Sequence, residues 1–149
     1  MGLDLTIYEL KNYTMDPDVK TKEYKLEEVA YFSNGTAMLL AEWLYRNYTT
    51  EITNRHHEAH HYVEIFEDDL NDILCNLAHV LTCHKKDRAI LALYYFPTKY
   101  TIGDWINSTA MFSDDYFFRL EELYDKLYPL VNYEEEKEYG RCFFYNISW

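Results

Sequence analysis

The sequence predicts an α+β fold in which about four helices pack on a small sheet that pairs the N- and C-terminal strands. Three observations predict it. Alternating apolar residues open the chain, four later segments carry apolar residues at helical spacing, and the stretch from Arg141 to Trp149 is rich in aromatic residues. Of the 149 residues 48% are hydrophobic, which suffices for one core, so we expect a single domain over residues 1–149.

The first predicted strand opens the chain. Apolar residues alternate with polar ones as far as about Lys11, and the apolar positions are Leu3, Leu5 and Ile7. The stretch from Asn12 to Glu28 is polar and contains Asp16-Pro17-Asp18, where proline fixes a turn. We therefore predict a loop over this stretch.

The first predicted helix begins at Ser33 or Asn34, which are both good N-cap residues, and ends near Tyr48. Its apolar face consists of Ala37, Leu40, Ala41, Leu44 and Tyr48. A polar, histidine-rich stretch follows it. Tyr62-Val63-Glu64-Ile65 is then predicted to be a short strand or an extended link.

Three further helices are predicted in the second half of the chain. The clearest begins with the carboxylates Glu67, Asp68 and Asp69, which the helix dipole favours at an N-terminus. Its apolar positions are Leu70, Ile73, Leu74, Leu77, Ala78 and Leu81. A shorter helix runs from about Lys86 to Phe96 and stops before Pro97. The last begins at Ser113 and is predicted to end near Tyr128-Pro129, with Phe117, Leu120, Leu123, Tyr124 and Leu127 facing inward.

Composition narrows the classes of partner. The formal net charge is −12, from 26 acidic and 14 basic side chains, and this sign repels a phosphate backbone. Direct binding of nucleic acid is therefore disfavoured, whereas a basic protein surface would be attracted. The chain has 16 tyrosines, several of which we expect at the surface, where tyrosine is favoured in protein interfaces.

The start of the chain resembles no secretory signal, and no apolar run approaches the length that spans a bilayer. We expect a cytoplasmic protein that does not enter the membrane. The three cysteines, Cys75, Cys83 and Cys142, are odd in number and widely spaced, which fits neither a disulfide framework nor a metal knuckle. They are predicted to be reduced thiols in the core.

A histidine cluster is the main candidate metal site. On a helix, His56 and His60, or His57 and His61, would lie one turn apart, where two imidazoles can share Zn, Ni or Cu. The spacing around Glu58 differs from the HExxH arrangement of zinc proteases. Exposed histidines with adventitious metal affinity, a structural metal and a catalytic metal all remain open interpretations.

Other chemistry-bearing residues lack a complete catalytic arrangement. His79 and His84 flank Cys83, and Cys75 shares a helical face with His79, but no third orienting group is evident. No phosphate-cradling or nucleophile-elbow motif occurs, and only 4 glycines are available to build one. The paired acids Asp68-Asp69 and Asp114-Asp115 are explained by helix N-termini. We therefore expect neither a cofactor nor enzymatic activity.

Four segments carry a resemblance that spans most of the chain. They are Met1 to Tyr8, Glu28 to Phe32 with Ala41 to Leu44, Asn107 to Thr109 with Asp115 to Phe118, and Cys142 to Trp149. Together they resemble a family of small phage and prophage proteins of unknown function that often carry the label "phosphoglycerate kinase". That label does not fit, because such a kinase needs two large domains and roughly 400 residues.

The resemblance implies a phage accessory protein whose aromatic C-terminal segment packs against the N-terminal strand. The histidine cluster departs from the family pattern, so no role is carried onto it. We therefore expect a non-enzymatic protein that binds a host protein. The leading hypothesis is a counter-defence inhibitor, similar to anti-CRISPR proteins, whose acidic surface occupies a nucleic-acid-binding site.

Two other hypotheses remain. One is a binder that sequesters a small nucleotide signal in an aromatic pocket, although the acidic charge opposes this. The other is a metal-binding protein that uses His56, His57, His60 and His61. Homodimerisation is compatible with all three, and the sequence does not decide it.

Overall fold

The computed structural model describes residues 3–11, 25–47, 62–97, 114–132 and 141–148, which form an α+β fold as predicted. One antiparallel sheet contains β1 (Asp4–Lys11), β2 (Lys25–Ser33), β3 (Val63–Ile65) and β4 (Phe143–Ser148). The helices are α1 (Asn34–Asn47), α2 (Glu67–Thr82), α3 (Lys85–Tyr95) and α4 (Asp114–Val131).

The N- and C-terminal strands are neighbours at the centre of the sheet. The strand order is β2-β1-β4-β3, and β1 pairs antiparallel with both β2 and β4. Ile7 lies opposite Tyr145 of β4 and opposite Ala30 of β2, and all three are buried. The predicted pairing of the two terminal strands is therefore confirmed.

The core lies between one face of the sheet and the helices. Alternation along β1 buries Leu3, Leu5, Ile7 and Glu9 and leaves the intervening side chains half-buried. Most residues of the predicted helix faces are buried as well, among them Leu40 and Leu44 of α1, Leu70 and Leu77 of α2, and Leu120 and Leu127 of α4. Ala78, Leu81, Phe117 and Tyr124 are half-buried, and Tyr48 lies outside the described residues. Helix α1 contacts β1, β2 and α4, and α4 in turn packs extensively against α2.

The predicted loop over Asn12–Glu28 is wrong at its end, because Lys25 to Glu28 belong to β2. The reason is a β-bulge. Ile7 lies opposite Ala30 whereas Tyr8 lies opposite Glu28, so Val29 is an extra residue. It breaks the alternation of apolar and polar residues by which a strand is recognised in a sequence.

The last helix is longer than predicted. It continues through Pro129 to Val131 instead of ending near Tyr128. Proline removes its own N–H donor and crowds the carbonyl one turn earlier. The next turn still closes, with the N–H of Asn132 donating to the carbonyl of Tyr128 at 3.0 Å. Burial of Leu130 beyond the proline gives this extra turn an apolar contact with the core.

The cysteines are free, as predicted, but they do not lie in the core. Cys75 is exposed, and Cys83 and Cys142 are half-buried. Cys75 lies on the outward face of α2 with Asp72 and His79, opposite the leucine face that packs inward. Among the helices described, none has both the length and the apolar character needed to cross a membrane.

Candidate protein-binding surface

The face of the sheet that points away from the core is the most distinctive surface. Strand register defines its members, because residues opposite each other in antiparallel strands share a face. We call it the outer face. It consists of Asp4, Thr6, Tyr8, Leu10, Leu26, Glu28, Tyr31, Ser33, Tyr62, Glu64, Phe144, Asn146 and Ser148.

Aromatic rings cross the outer face. Tyr8 lies opposite Phe144, and its ring meets the ring of Tyr62 edge to face with centroids 5.3 Å apart. Tyr31 lies on the other side, on β2, and Tyr31 and Tyr62 are each almost half exposed, at 44% and 45%. The prediction that several tyrosines lie at the surface is confirmed.

Carboxylates lie among these rings. The Tyr31 hydroxyl donates to Asp4 Oδ1 at 2.8 Å. This hydrogen bond, followed by desolvation and by the charges of Asp4 and Glu28, raises the pKa of Tyr31. Glu64 lies opposite Phe144 at the other end of the sheet and is exposed. Tyr31 therefore stays a protonated donor that fixes one oxygen of Asp4.

The outer face is suited to basic side chains. Three of its members are acidic, and none of those assigned to it in the described strands is Lys or Arg. A guanidinium or ammonium group can bind a carboxylate and lie over a tyrosine ring at the same time, and cation–π contacts contribute about 0.5–2 kcal/mol each. The arrangement can therefore hold Lys or Arg side chains of another molecule.

The histidine cluster is the candidate metal site that the sequence predicts. His56, His57, His60 and His61 lie outside the described residues. No group of three or more His, Cys, Asp or Glu side chains in the described ranges is arranged to hold a metal ion. His79 is exposed on α2, where its Nδ1 lies 2.9 Å from the hydroxyl of Tyr95.

Capping explains one of the predicted carboxylate pairs. Asp69 Oδ2 accepts the N–H of Phe66 at 3.0 Å, at the N-terminus of α2. A second acid at this helix end also accepts a backbone hydrogen bond, because Glu67 Oε1 accepts the N–H of Arg141 at 2.9 Å. These acids therefore stabilise a helix start, as the sequence indicated.

Comparison with known proteins gives no further assignment. No family model, no curated protein and no solved structure matches the chain. The resemblance to small phage proteins therefore stays a prediction that rests on the four segments named above.

The sequence predicts exposed tyrosines, but it does not predict that several of them lie on one face of the sheet. Tyr8 could have been placed there, because it alternates with Ile7 and Glu9 in a recognised strand. Tyr31 could not, since β2 was not recognised, and Tyr62 precedes a strand of only three residues.

Proposed function

We propose that this chain is a non-enzymatic phage accessory protein that binds a host protein through the outer face of its sheet. The partner presents a basic surface, as nucleic-acid-binding proteins do, and the chain acts as a counter-defence inhibitor by occupying that surface. The supporting observation is that exposed tyrosines and carboxylates share one sheet face, and that none of the described members of this face is Lys or Arg.

The net charge of the chain also favours a basic partner. The whole chain carries a formal net charge of −12, so a basic partner is attracted before contact. Tyrosine then provides contact area at a low entropic cost, because it has few rotatable bonds. Long-range attraction and short-range contact thus favour the same class of partner.

The test is a quantitative affinity purification from host lysate at low and at physiological salt. The test variant is Tyr62→Ala with Glu64→Lys, which alters one end of the outer face. The matched control is Tyr94→Ala with Glu121→Lys, which makes the same chemical changes on exposed positions of α3 and α4.

We expect the unmodified chain and the control to recover one partner in stoichiometric amount, more at low salt, and the test variant to lose it. The partner should also be released by duplex DNA or heparin, which compete for the same basic surface. Equal recovery by the test variant and the control would overturn the assignment to this face.

A further inference from the structure

The outer edge of β2 is an open sheet edge within the part of the chain that the structure describes. In the order β2-β1-β4-β3, β2 has nine residues, and the described chain contributes no strand beyond it. The opposite edge strand, β3, has only three residues. Unpaired backbone groups along a strand edge can pair with an extended segment of another molecule.

One end of this edge is covered by a lysine. Lys126 Nζ of α4 donates to the carbonyl of Tyr31 at 2.7 Å and lies 5.3 Å from the centroid of the Phe32 ring. Its position is fixed by an ion pair of 3.0 Å with Glu122, which accepts a hydrogen bond from the Thr36 hydroxyl. An added strand is therefore obstructed at Tyr31.

The other end carries no such cover. Among the residues described, no side chain bonds to the backbone of Lys25–Val29, which we call the open edge. Five residues of strand span roughly 17 Å. This is enough backbone for a short fifth strand.

The charges of the open edge determine which extended segments can pair with it. Glu27 and Glu28 are both exposed and, as consecutive strand residues, lie on opposite faces; Glu28 lies opposite Tyr8, and Glu27 opposite the buried Glu9. An incoming strand therefore meets a carboxylate on each face. An antiparallel second copy centred on the open edge would place Glu27 opposite Glu27, and like charges directly opposite are destabilising.

We infer that the open edge receives an extended segment of the partner with two adjacent basic residues, which pairs with Lys25–Val29 as a fifth strand. This rests on the proposed function, since the segment belongs to the same basic partner. It specifies backbone pairing at β2 in addition to side-chain contact with the outer face.

The probe is a labelled, capped octapeptide in which a central Lys-Arg pair is flanked by three Val or Thr residues on each side. Two control peptides have the same sequence with every second backbone amide N-methylated. One is methylated at the odd positions and the other at the even positions, and we call these the two N-methylated phases. Each phase keeps the charge of the peptide and blocks hydrogen bonding along one of its two edges. Fluorescence anisotropy measures the probe and its controls against the full chain. We expect one N-methylated phase to weaken binding at least about tenfold.

The protein arm uses Glu27→Lys with Glu28→Lys against the matched control Asp72→Lys with Glu121→Lys, which changes net charge equally. We expect the first pair to weaken peptide binding about tenfold or more and the control about threefold or less. Equal weakening by both pairs, or unchanged binding of both N-methylated peptides, would overturn the inference.

The experiments can contradict the proposed function and the pairing at the open edge independently. If the lysate partner depends on Tyr62 and Glu64 but the peptide results are negative, the proposed function stands and edge pairing is wrong. If the peptide results are positive but no host partner is recovered, edge pairing stands and the proposed function is wrong. Self-association of the unmodified chain that the unmethylated octapeptide competes away and the N-methylated peptides do not would assign the edge to a second copy instead.

Discussion

Arg141 and Glu9 form a bidentate ion pair that is largely buried. Arg141 Nε donates to Glu9 Oε1 at 2.7 Å and Nη2 to Oε2 at 2.5 Å, and the two side chains are 11% and 3% exposed. Arg141 Nη1 also donates to the carbonyl of Leu130, near the end of α4. The pair therefore joins the centre of the sheet to the last helix and to the segment before β4.

Removing one partner of this pair should be strongly destabilising. Arg141→Ala removes two charge-assisted hydrogen bonds from the buried Glu9 carboxylate, and we expect the free energy of unfolding to fall by about 3–5 kcal/mol. Chemical denaturation measures this change. The double variant Glu9→Met with Arg141→Met should lose less than the sum of the single variants, and a loss under about 1 kcal/mol for Arg141→Ala would contradict the assignment.

Helix α3 ends in carbonyls that are bound by other helices. The Tyr116 hydroxyl of α4 donates to the carbonyl of Phe96 at 2.9 Å, and Arg46 of α1 donates to the carbonyls of Tyr95 and Pro97. Burial raises the pKa of Tyr116 and lowers that of Arg46. These bonds supply donors to the carbonyl of Tyr95, the last residue of the helix, and to those of the two residues that follow it.

Tyr116→Phe should therefore lower the free energy of unfolding by about 1–3 kcal/mol, because a buried carbonyl loses its donor. Thermal or chemical unfolding measures it. The control is Tyr124→Phe, a half-buried tyrosine on the same helix, which should change stability by no more than about 0.5 kcal/mol. Equal effects of the two substitutions would show that the hydroxyl of Tyr116 has no special role.

The charges along β2 should limit self-association. Replacing Glu27 and Glu28 with Thr and Lys126 with Ala removes the like-charge repulsion at the open edge and the cover over Tyr31. We expect this triple variant to self-associate at concentrations where the unmodified chain does not. Sedimentation velocity over a concentration series checks this, and identical profiles for the two proteins would contradict it.

The thiols should differ in reactivity. Burial, followed by the charges of Glu64 and Glu67, raises the pKa of Cys142, so the folded state holds this proton more tightly than the unfolded state does. This group's contribution to stability is present below the unfolded pKa and is lost as pH rises through the folded value. Because the thiolate is the reactive form, Cys142 should react with iodoacetamide at a higher pH in the folded chain than in urea.

Peptide mass spectrometry follows the alkylation of each cysteine. Cys75 is exposed and should be modified before Cys142 in the folded chain. Unfolding in urea should remove most of this difference. Faster modification of Cys142 than of Cys75 under native conditions would contradict its placement beside Glu64 and Glu67.

Much of the fold was predictable because hydrophobic periodicity is local. The leucine face of α2 and the alternation in β1 are each visible within one segment, and both are observed. β2 was missed because the bulge at Val29 interrupts that periodicity. The end of α4 was misplaced because burial of Leu130 outweighs the local effect of Pro129.

Only one residue of the buried ion pair, Glu9, could be placed from the sequence. The alternation of Leu3, Leu5 and Ile7 could have placed Glu9 on the inward face, where a carboxylate needs a counter-charge. Its partner lies 132 residues away, and no local pattern identifies it. The outer face and the open edge depend on strand pairing in the same way, so they emerge only when β1, β2 and β4 are assembled.

The central claim is that the outer face contacts a basic host protein, and site-specific photo-crosslinking in the host tests it most directly. A benzophenone amino acid replaces Tyr31 or Tyr62 on the outer face, or Tyr94 on α3 as the control. We predict that positions 31 and 62 both crosslink to one nucleic-acid-binding protein and that position 94 does not. Crosslinking to that protein from position 94 alone, or no crosslink from either outer-face position, would contradict the claim.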